Sequence, residues 1–154
     1  MSPSPSSWPK SETAVSWYKD LSIFRHQLTA FAGHEIGLHG YTHEFISQLS
    51  AKQQQDVLTK SISVLTDFCG KKPLGYTAPS WSTSKELIPQ LEAEGILYDH
   101  SFMHHDLQPY FAPDSSETWI ETNHAKSADA WMKPMTALRP SKVVEIPSNW
   151  HLVR

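Results

Sequence analysis

The sequence is poor in cysteine, in clustered basic residues and in long apolar runs. Cys69 is the only cysteine among 154 residues, so no disulfide can form within the chain and stability must come from packing or from a bound metal. The formal net charge is −3, and no cluster of Lys and Arg provides the field that nucleic acids or anionic lipids require. We therefore expect neither nucleic acid nor a membrane as a partner.

Targeting signals are also missing from the sequence. No stretch approaches the ~20 apolar residues of a membrane span, and residues 1–10 are rich in Ser and Pro without the apolar centre of a signal peptide. We expect a cytoplasmic protein. The length suits one core, and the patterning predicts an irregular N-terminal arm over residues 1–20 and one α/β domain over residues 21–154.

The periodicity of apolar residues predicts alternating helices and strands. Helical spacing indicates a short helix over residues 21–31, and alternation indicates a strand over residues 34–38. Ser50 and Gln53 form a capping box at the start of a longer helix, which Gly70 ends.

The second half of the chain continues this alternation. Thr83 and Glu86 can cap a second helix, in which Pro89 should cause a kink or a shortening. Residues 73–78 predict a short extended stretch before this helix, residues 96–98 a buried strand and residues 142–146 a last strand, whereas residues 103–129 look like a loop. The order predicts a βαβαβ core with parallel pairing.

Two histidines are the strongest candidates for chemistry. His39 and His43 are four residues apart, which lets both imidazoles reach one metal at ~2.0–2.1 Å. Such a pair alone also suits an ordinary surface helix, because nine histidines make chance pairs common. Here Gly37 and Gly40 flank the first histidine at a predicted strand end, where α/β proteins place their ligand sites. The context favours a metal site.

The residues around this pair resemble the second motif of the polysaccharide deacetylase family, the NodB homology domain. Residues 33–44 contain Gly40-Tyr41-Thr42-His43, a sequence that is usual in this motif of the family. The resemblance covers about residues 21–152, and within the family the sequence is similar to the peptidoglycan-deacetylase-like branch. Its further motifs lie in residues 75–81, 98–101, 103–106, 131–134 and 145–150.

The resemblance implies a partial distorted (β/α) barrel and a metal-dependent hydrolase acting on non-peptide carbon–nitrogen bonds, usually the N-acetyl group of an amino sugar. It implies zinc, with cobalt or nickel as alternatives, held by His39 and His43. In the family such a metal polarises the amide carbonyl, an Asp acts as base and a late His acts as acid. The expected substrate is a small molecule or an oligosaccharide.

The sequence departs from the family pattern at both catalytic motifs. Asp20 is the only aspartate before His39, and no apolar strand leads into it, so the Asp-Asp motif is absent. No late apolar strand ending in His is present either, so the catalytic base and acid remain unknown. These departures predict a truncated product or a partial gene, with impaired catalysis. Unpaired strand edges would then favour a homo-oligomer.

Six further residues are candidates for substrate binding: Pro79, Trp81, Asp99, His100, His104 and Asp106. Asp99 could contact substrate, orient a ligand histidine or simply cap a loop. His104, His105 and Asp106 could bind sugar or metal, although an exposed polar loop explains them almost equally well. Trp81 could stack on a sugar ring or pack in the core, and packing is favoured for Trp131.

Three readings of function remain open from the sequence. The first is a deacetylase whose site is seen only in part. The second is a catalytically inactive remnant that still binds metal or carbohydrate. The third is a cyclic imide or amide hydrolase with the same fold.

Overall fold

The computed structural model describes residues 35–105, 107–115 and 119–148. Within these residues the α-helices are α1, Ala51–Cys69, and α2, Leu87–Ala93. The strands of the same residues are β1, Gly75–Tyr76, β2, Tyr98–Asp99, β3, Tyr110–Pro113, and β4, Pro140–Glu145. Short 3-10 helices occupy Ile46–Gln48, Pro79–Trp81, Ala128–Ala130 and Met135–Ala137. The predicted N-terminal arm and the helix predicted over residues 21–31 lie outside the described residues.

The strands form one mixed sheet in the order β1-β2-β4-β3. Strand β2 pairs in parallel with β1 and with β4, and β3 is antiparallel to β4. Leu38 adds a single parallel bridge to Tyr76. The α/β class with parallel pairing is confirmed, and within the described residues the sheet is open rather than closed into a barrel.

Two sequence predictions about strands need correction. Of the strand predicted over residues 34–38, the described residues 35–38 contribute one bridging residue, Leu38, because among them only Leu38 exchanges backbone hydrogen bonds with β1 and its flanks. Residues 103–129 are not all loop, because they contain β3. That strand is short and ends in a proline, and it depends on pairing with the distant β4, so the local sequence carries little signal for it.

Helix α1 forms as its sequence predicts. The Ser50 side chain accepts the Gln53 N–H, and the Gln53 side chain reaches back to the Ser50 N–H, which completes the capping box. Gly70 ends the helix in the left-handed conformation, with φ of 73°. Leu58 and Ile62 are buried beneath it.

Helix α2 differs from its prediction at the N-terminus. It begins at Leu87, and Glu86 precedes it without a side-chain capping bond, so the predicted Thr83–Glu86 box is wrong. Pro89 is the third residue of the helix. A first-turn residue has no partner for its N–H, so the proline fits there without breaking the helix.

The core lies between the two helices and one face of the sheet. Its buried apolar residues are Leu38, Leu58, Ile62, Tyr76, Ala78, Leu87, Ile88, Leu91, Ile96, Ala112 and Val143. This core holds the strands in register, so that the residues following β1, β2 and β4 meet at one edge. In the part of the chain that the structure covers, no helix is both long and apolar enough to cross a bilayer.

Candidate metal centre

His39 and His43 lie close together on the loop that follows the Leu38 bridge. Their ring centroids are 5.0 Å apart, and the ring planes are inclined at 73°. Both side chains are exposed, at the carboxyl edge of the parallel strands. Ligand sites of open α/β sheets form at this edge.

The His39 ring is held in one tautomer by a backbone carbonyl. Its Nδ1 lies 2.8 Å from the Thr77 carbonyl oxygen. A carbonyl oxygen can only accept, so Nδ1 must carry the proton and donate it. The lone pair of the ring is therefore on Nε2. This is the arrangement that metal-ligating histidines usually have.

The loop between the two histidines needs an unusual backbone. Gly40 has φ of +68°, and a Cβ at this position would lie 2.8 Å from Glu44 Oε2 and 2.9 Å from Pro79 Cγ. Only glycine satisfies both demands. His43 also has a positive φ, of 68°. Residues other than glycine rarely adopt such an angle, and it is often found at functional sites.

Glu44 stabilises this loop from inside. Its carboxylate accepts hydrogen bonds from the backbone N–H groups of Tyr41, at 2.9 Å, and Thr42, at 2.8 Å, and from the Thr42 hydroxyl at 2.7 Å. Burial opposes ionisation of Glu44, but the bonds from Thr42 and Tyr41 outweigh it and lower its pKa. The charged Glu44 carboxylate therefore holds the loop together by hydrogen bonds. The sequence alone did not indicate this role, although Glu44 directly follows His43.

A second strained loop adjoins the first. Ser80 and Trp81 have φ of 53° and 51°, and buried Pro79 lies against Gly40. The Ser82 hydroxyl accepts the Ser47 N–H at 3.0 Å, which ties this loop to the segment after the histidines. Trp81, two residues after Pro79 on this second loop, is 43% exposed. The structure thus packs Pro79 against the loop that carries His39 and His43.

Asp99 lies at the same edge of the sheet, but inside the protein. It pairs in register with Glu145, and both residues are 0% exposed. Asp99 Oδ1 accepts the Ser101 hydroxyl at 2.7 Å, and Glu145 Oε1 accepts the Phe102 N–H at 3.0 Å. Burial, and then the neighbouring Asp99 carboxyl, raises the pKa of Glu145 from its ordinary value of 4.5 to about 9. The pair therefore holds a proton near neutral pH.

The remaining candidates are spread along the sheet edge. His100 Nδ1 donates to the Ile146 carbonyl oxygen at 2.7 Å, beyond the end of β4. His104 lines a cavity of about 270 Å³ with Phe102 and Trp119, and burial lowers its pKa. Asp106 lies outside the described residues. His100 and His104 are thus held by different parts of the chain from the His39–His43 pair.

The donor set suits a borderline divalent cation in part. Two imidazoles, one with its Nε2 lone pair set by Thr77, are ligands that zinc, cobalt and nickel accept. Within residues 35–105, 107–115 and 119–148, no group of three His, Cys, Asp or Glu side chains is placed to hold one metal. The pair fits two positions of a metal site.

Comparison with known sequences extends these observations. Residues 25–98 match the family model of polysaccharide deacetylases. The chain is 43% identical over 121 residues to a peptidoglycan deacetylase of Helicobacter pylori, covering 79% of this chain and 41% of that protein. It is 44% identical over 121 residues to a peptidoglycan deacetylase-like protein of Gibberella zeae, covering 79% and 36%. The chain thus spans about two fifths of these relatives.

Solved structures have the same fold. A crystal structure described as a polysaccharide deacetylase from Mycobacterium smegmatis superposes with a TM-score of 0.57 at 29% identity, over 79% of this chain and 34% of that one. An allantoinase structure, with a TM-score of 0.55 at 24% identity over 84% of this chain and 34% of its own, shows the fold alone. The matched segment, the sequence relatives and the fold together show that residues 25–98 carry part of a polysaccharide deacetylase domain.

Proposed function

We propose that this chain provides the histidine pair of a divalent-metal site in a hydrolase that removes N-acetyl groups from amino sugars. The observation that carries the proposal is the geometry of His39 and His43, with ring centroids 5.0 Å apart and the His39 tautomer set by Thr77. Zinc is the proposed metal, with cobalt or nickel as alternatives. A metal here would supply Lewis-acid chemistry for amide hydrolysis.

The substrate class rests on the relatives and on the surface beside the pair. The two sequence relatives are named for deacetylation of peptidoglycan, whose glycan carries N-acetylated amino sugars. Trp81 is partly exposed on the loop of Pro79, which lies against Gly40, and an aromatic face suits stacking on a sugar ring. We therefore propose an oligosaccharide substrate that contacts Trp81, with His100 and His104 as more distant candidates along the sheet edge and Asp106 as a candidate from the sequence. Pro79 is buried against Gly40, so its proposed role is to support this loop.

In this proposal, each contact around His39 and His43 holds one part of the site in place. The Thr77 carbonyl holds His39 with the Nε2 lone pair available to a metal. The hydrogen bonds of Glu44 keep the backbone of the loop in its left-handed conformation. The contact of Pro79 with Gly40 sets the distance between the two loops. These contacts prearrange the two ligands, which lowers the entropy cost of binding a metal.

Titration calorimetry with Co²⁺ on the full chain tests the metal site. We expect binding that falls about tenfold or more in His39→Ala and in His43→Ala, since each removes a ligand. His124→Ala, at an exposed histidine of the segment 119–148, is the matched control and should bind as the parent does. Equal affinity in all four proteins would overturn the proposal.

A second candidate is a metal- or carbohydrate-binding protein without catalysis. It is favoured by the described residues, in which no third metal ligand joins the two histidines. Acetate release from an N-acetylated chito-oligosaccharide separates the two candidates. Release that His43→Ala abolishes supports the enzyme, whereas Co²⁺ binding with release at background supports the second candidate.

A further inference from the structure

The peptide group between Thr77 and Ala78 is hydrogen-bonded at both of its ends. Its carbonyl oxygen accepts the His39 Nδ1–H at 2.8 Å. Its N–H, which belongs to Ala78, donates to the Ser101 hydroxyl oxygen at 2.8 Å inside the protein. One rigid amide therefore joins the exposed histidine to a buried hydroxyl.

That hydroxyl is in turn held by Asp99. Ser101 Oγ donates to Asp99 Oδ1 at 2.7 Å, and the Ser101 backbone N–H donates to Asp99 Oδ2 at 3.2 Å. Because the hydroxyl proton points to the carboxylate, the hydroxyl oxygen has to accept from Ala78. The directions of all the bonds are consistent from Asp99 to His39.

Glu145 lies next to Asp99, at the inner end of this series of hydrogen bonds. It faces Asp99 across paired strands, and both side chains are fully buried. Two charged carboxylates cannot share such a place at low cost, so one of them keeps a proton. Asp99 accepts both the hydroxyl and the N–H of Ser101, which favours its charged form. We therefore assign the proton to Glu145, whose pKa is the one raised to about 9.

We propose that Asp99 and Ser101 are positioning residues that fix the His39 ring through the Thr77–Ala78 peptide group. A carboxylate that polarises the Ser101 hydroxyl strengthens its acceptance of the Ala78 N–H, and the amide then presents a more negative carbonyl oxygen to His39. The consequence is a firmer Nδ1–H tautomer and a more basic Nε2. The metal-binding part of this inference rests on the proposed function, whereas the tautomer part does not.

The first test is nitrogen NMR of the metal-free full chain at about pH 8, where imidazoles are largely neutral. Ser101→Ala should shift His39 toward the Nε2–H tautomer. Ser61→Ala is the matched control, because Ser61 is 4% exposed against 5% for Ser101 and its hydroxyl donates to the Val57 carbonyl, away from His39. His100, whose Nδ1 donates to Ile146, is an internal reference that should not change.

The second test uses an isosteric pair of carboxyl-to-amide changes, read by the same spectra and by Co²⁺ titration. Asp99→Asn removes the charge and sets an amide N–H against the Ser101 N–H, so we expect the His39 tautomer to shift and Co²⁺ affinity to fall about tenfold. Asp56→Asn, in the exposed ion pair with Lys52, should change neither. Backbone spectra establish that each variant is folded.

The outcomes separate this inference from the proposed function. A tautomer that stays the same in Ser101→Ala and in Asp99→Asn overturns the inference, even if the parent binds Co²⁺ tightly. A tautomer shift in a chain that binds no Co²⁺ supports the positioning role and overturns the metal site.

Discussion

The histidine loop and the buried acid pair lie at the same edge of the sheet but are built differently. Glu44 shapes the histidine loop by accepting hydrogen bonds from its near neighbours Tyr41 and Thr42, and the loop is open to solvent. Asp99 and Glu145 come from separate strands and are enclosed. The candidate site thus combines an accessible histidine loop, whose conformation depends on neighbouring residues, with a buried acid pair, whose position depends on the packing of the core. Breaking the acid pair should therefore cost more stability than breaking the loop.

The largest expected effect is that of Asp99→Ala. It leaves the buried Ser101 hydroxyl without an acceptor for its proton, and leaving a buried donor unsatisfied costs about 1–3 kcal/mol. Urea denaturation measures the loss in the free energy of unfolding. Asp67→Ala, at an exposed position of α1, should cost well under this amount, and equal losses would contradict the distinction.

Gly40→Ala is expected to have the next largest effect. The left-handed backbone disfavours alanine by about 1–2 kcal/mol, and its Cβ also meets Glu44 and Pro79 below 3.0 Å. Gly70→Ala is the matched control, since its φ is +73° but nothing lies within 4 Å of the added carbon. The difference between the two variants in thermal unfolding measures the contacts of the loop. Gly40→Ala should also weaken Co²⁺ binding, whereas Gly70→Ala should not.

The two regions should respond to pH in opposite directions. Glu145 has a folded pKa of about 9 against an ordinary value of 4.5, so the folded state retains a proton that the unfolded state loses, and stability falls as the pH rises through that window. Burial raises the pKa values of buried Tyr76 and half-buried Tyr110 as well, and the Asp99 carboxylate adds to both shifts. Urea denaturation at a series of pH values should show a shallower decline in Glu145→Gln.

At acidic pH the histidine loop should dominate. The pKa of Glu44 is lowered on folding, so its contribution is present above its ordinary value of 4.5 and is lost as the pH falls through the lower folded value. In the same denaturation series, Glu44→Gln should reduce this acid-side loss and leave the alkaline side as in the parent. A change on the alkaline side only would contradict the assignment.

The smallest expected effect is the stability loss in Glu44→Gln at neutral pH. The amide keeps one acceptor oxygen but loses the charge that strengthens the bonds from Tyr41 and Thr42, so we expect about 1 kcal/mol. Urea denaturation measures it beside Glu121→Gln, a matched change at an exposed acid. A loss as large as that of Asp99→Ala would remove the contrast between the two regions.

Local sequence signals predicted the parts of this protein whose structure depends on neighbours in the chain. Helix α1 follows from its capping box and its terminal Gly70, and the family follows from motifs such as Gly40-Tyr41-Thr42-His43. The closeness of His39 and His43 was also foreseeable, because the three intervening residues of a turn cannot carry them far apart. Backbone conformation and short-range hydrogen bonds decide these features.

Tertiary structure alone decided the rest. Strand β3 exists through its pairing with β4, and Pro89 is harmless only because α2 begins at Leu87. The sequence could name Asp99 as a candidate but not its partner, since Glu145 reaches it through strand register. The bond from His39 to Thr77 likewise depends on which segments become neighbours. Such pairings arise from the packing of the core, a long-range balance of burial and register that no local pattern encodes.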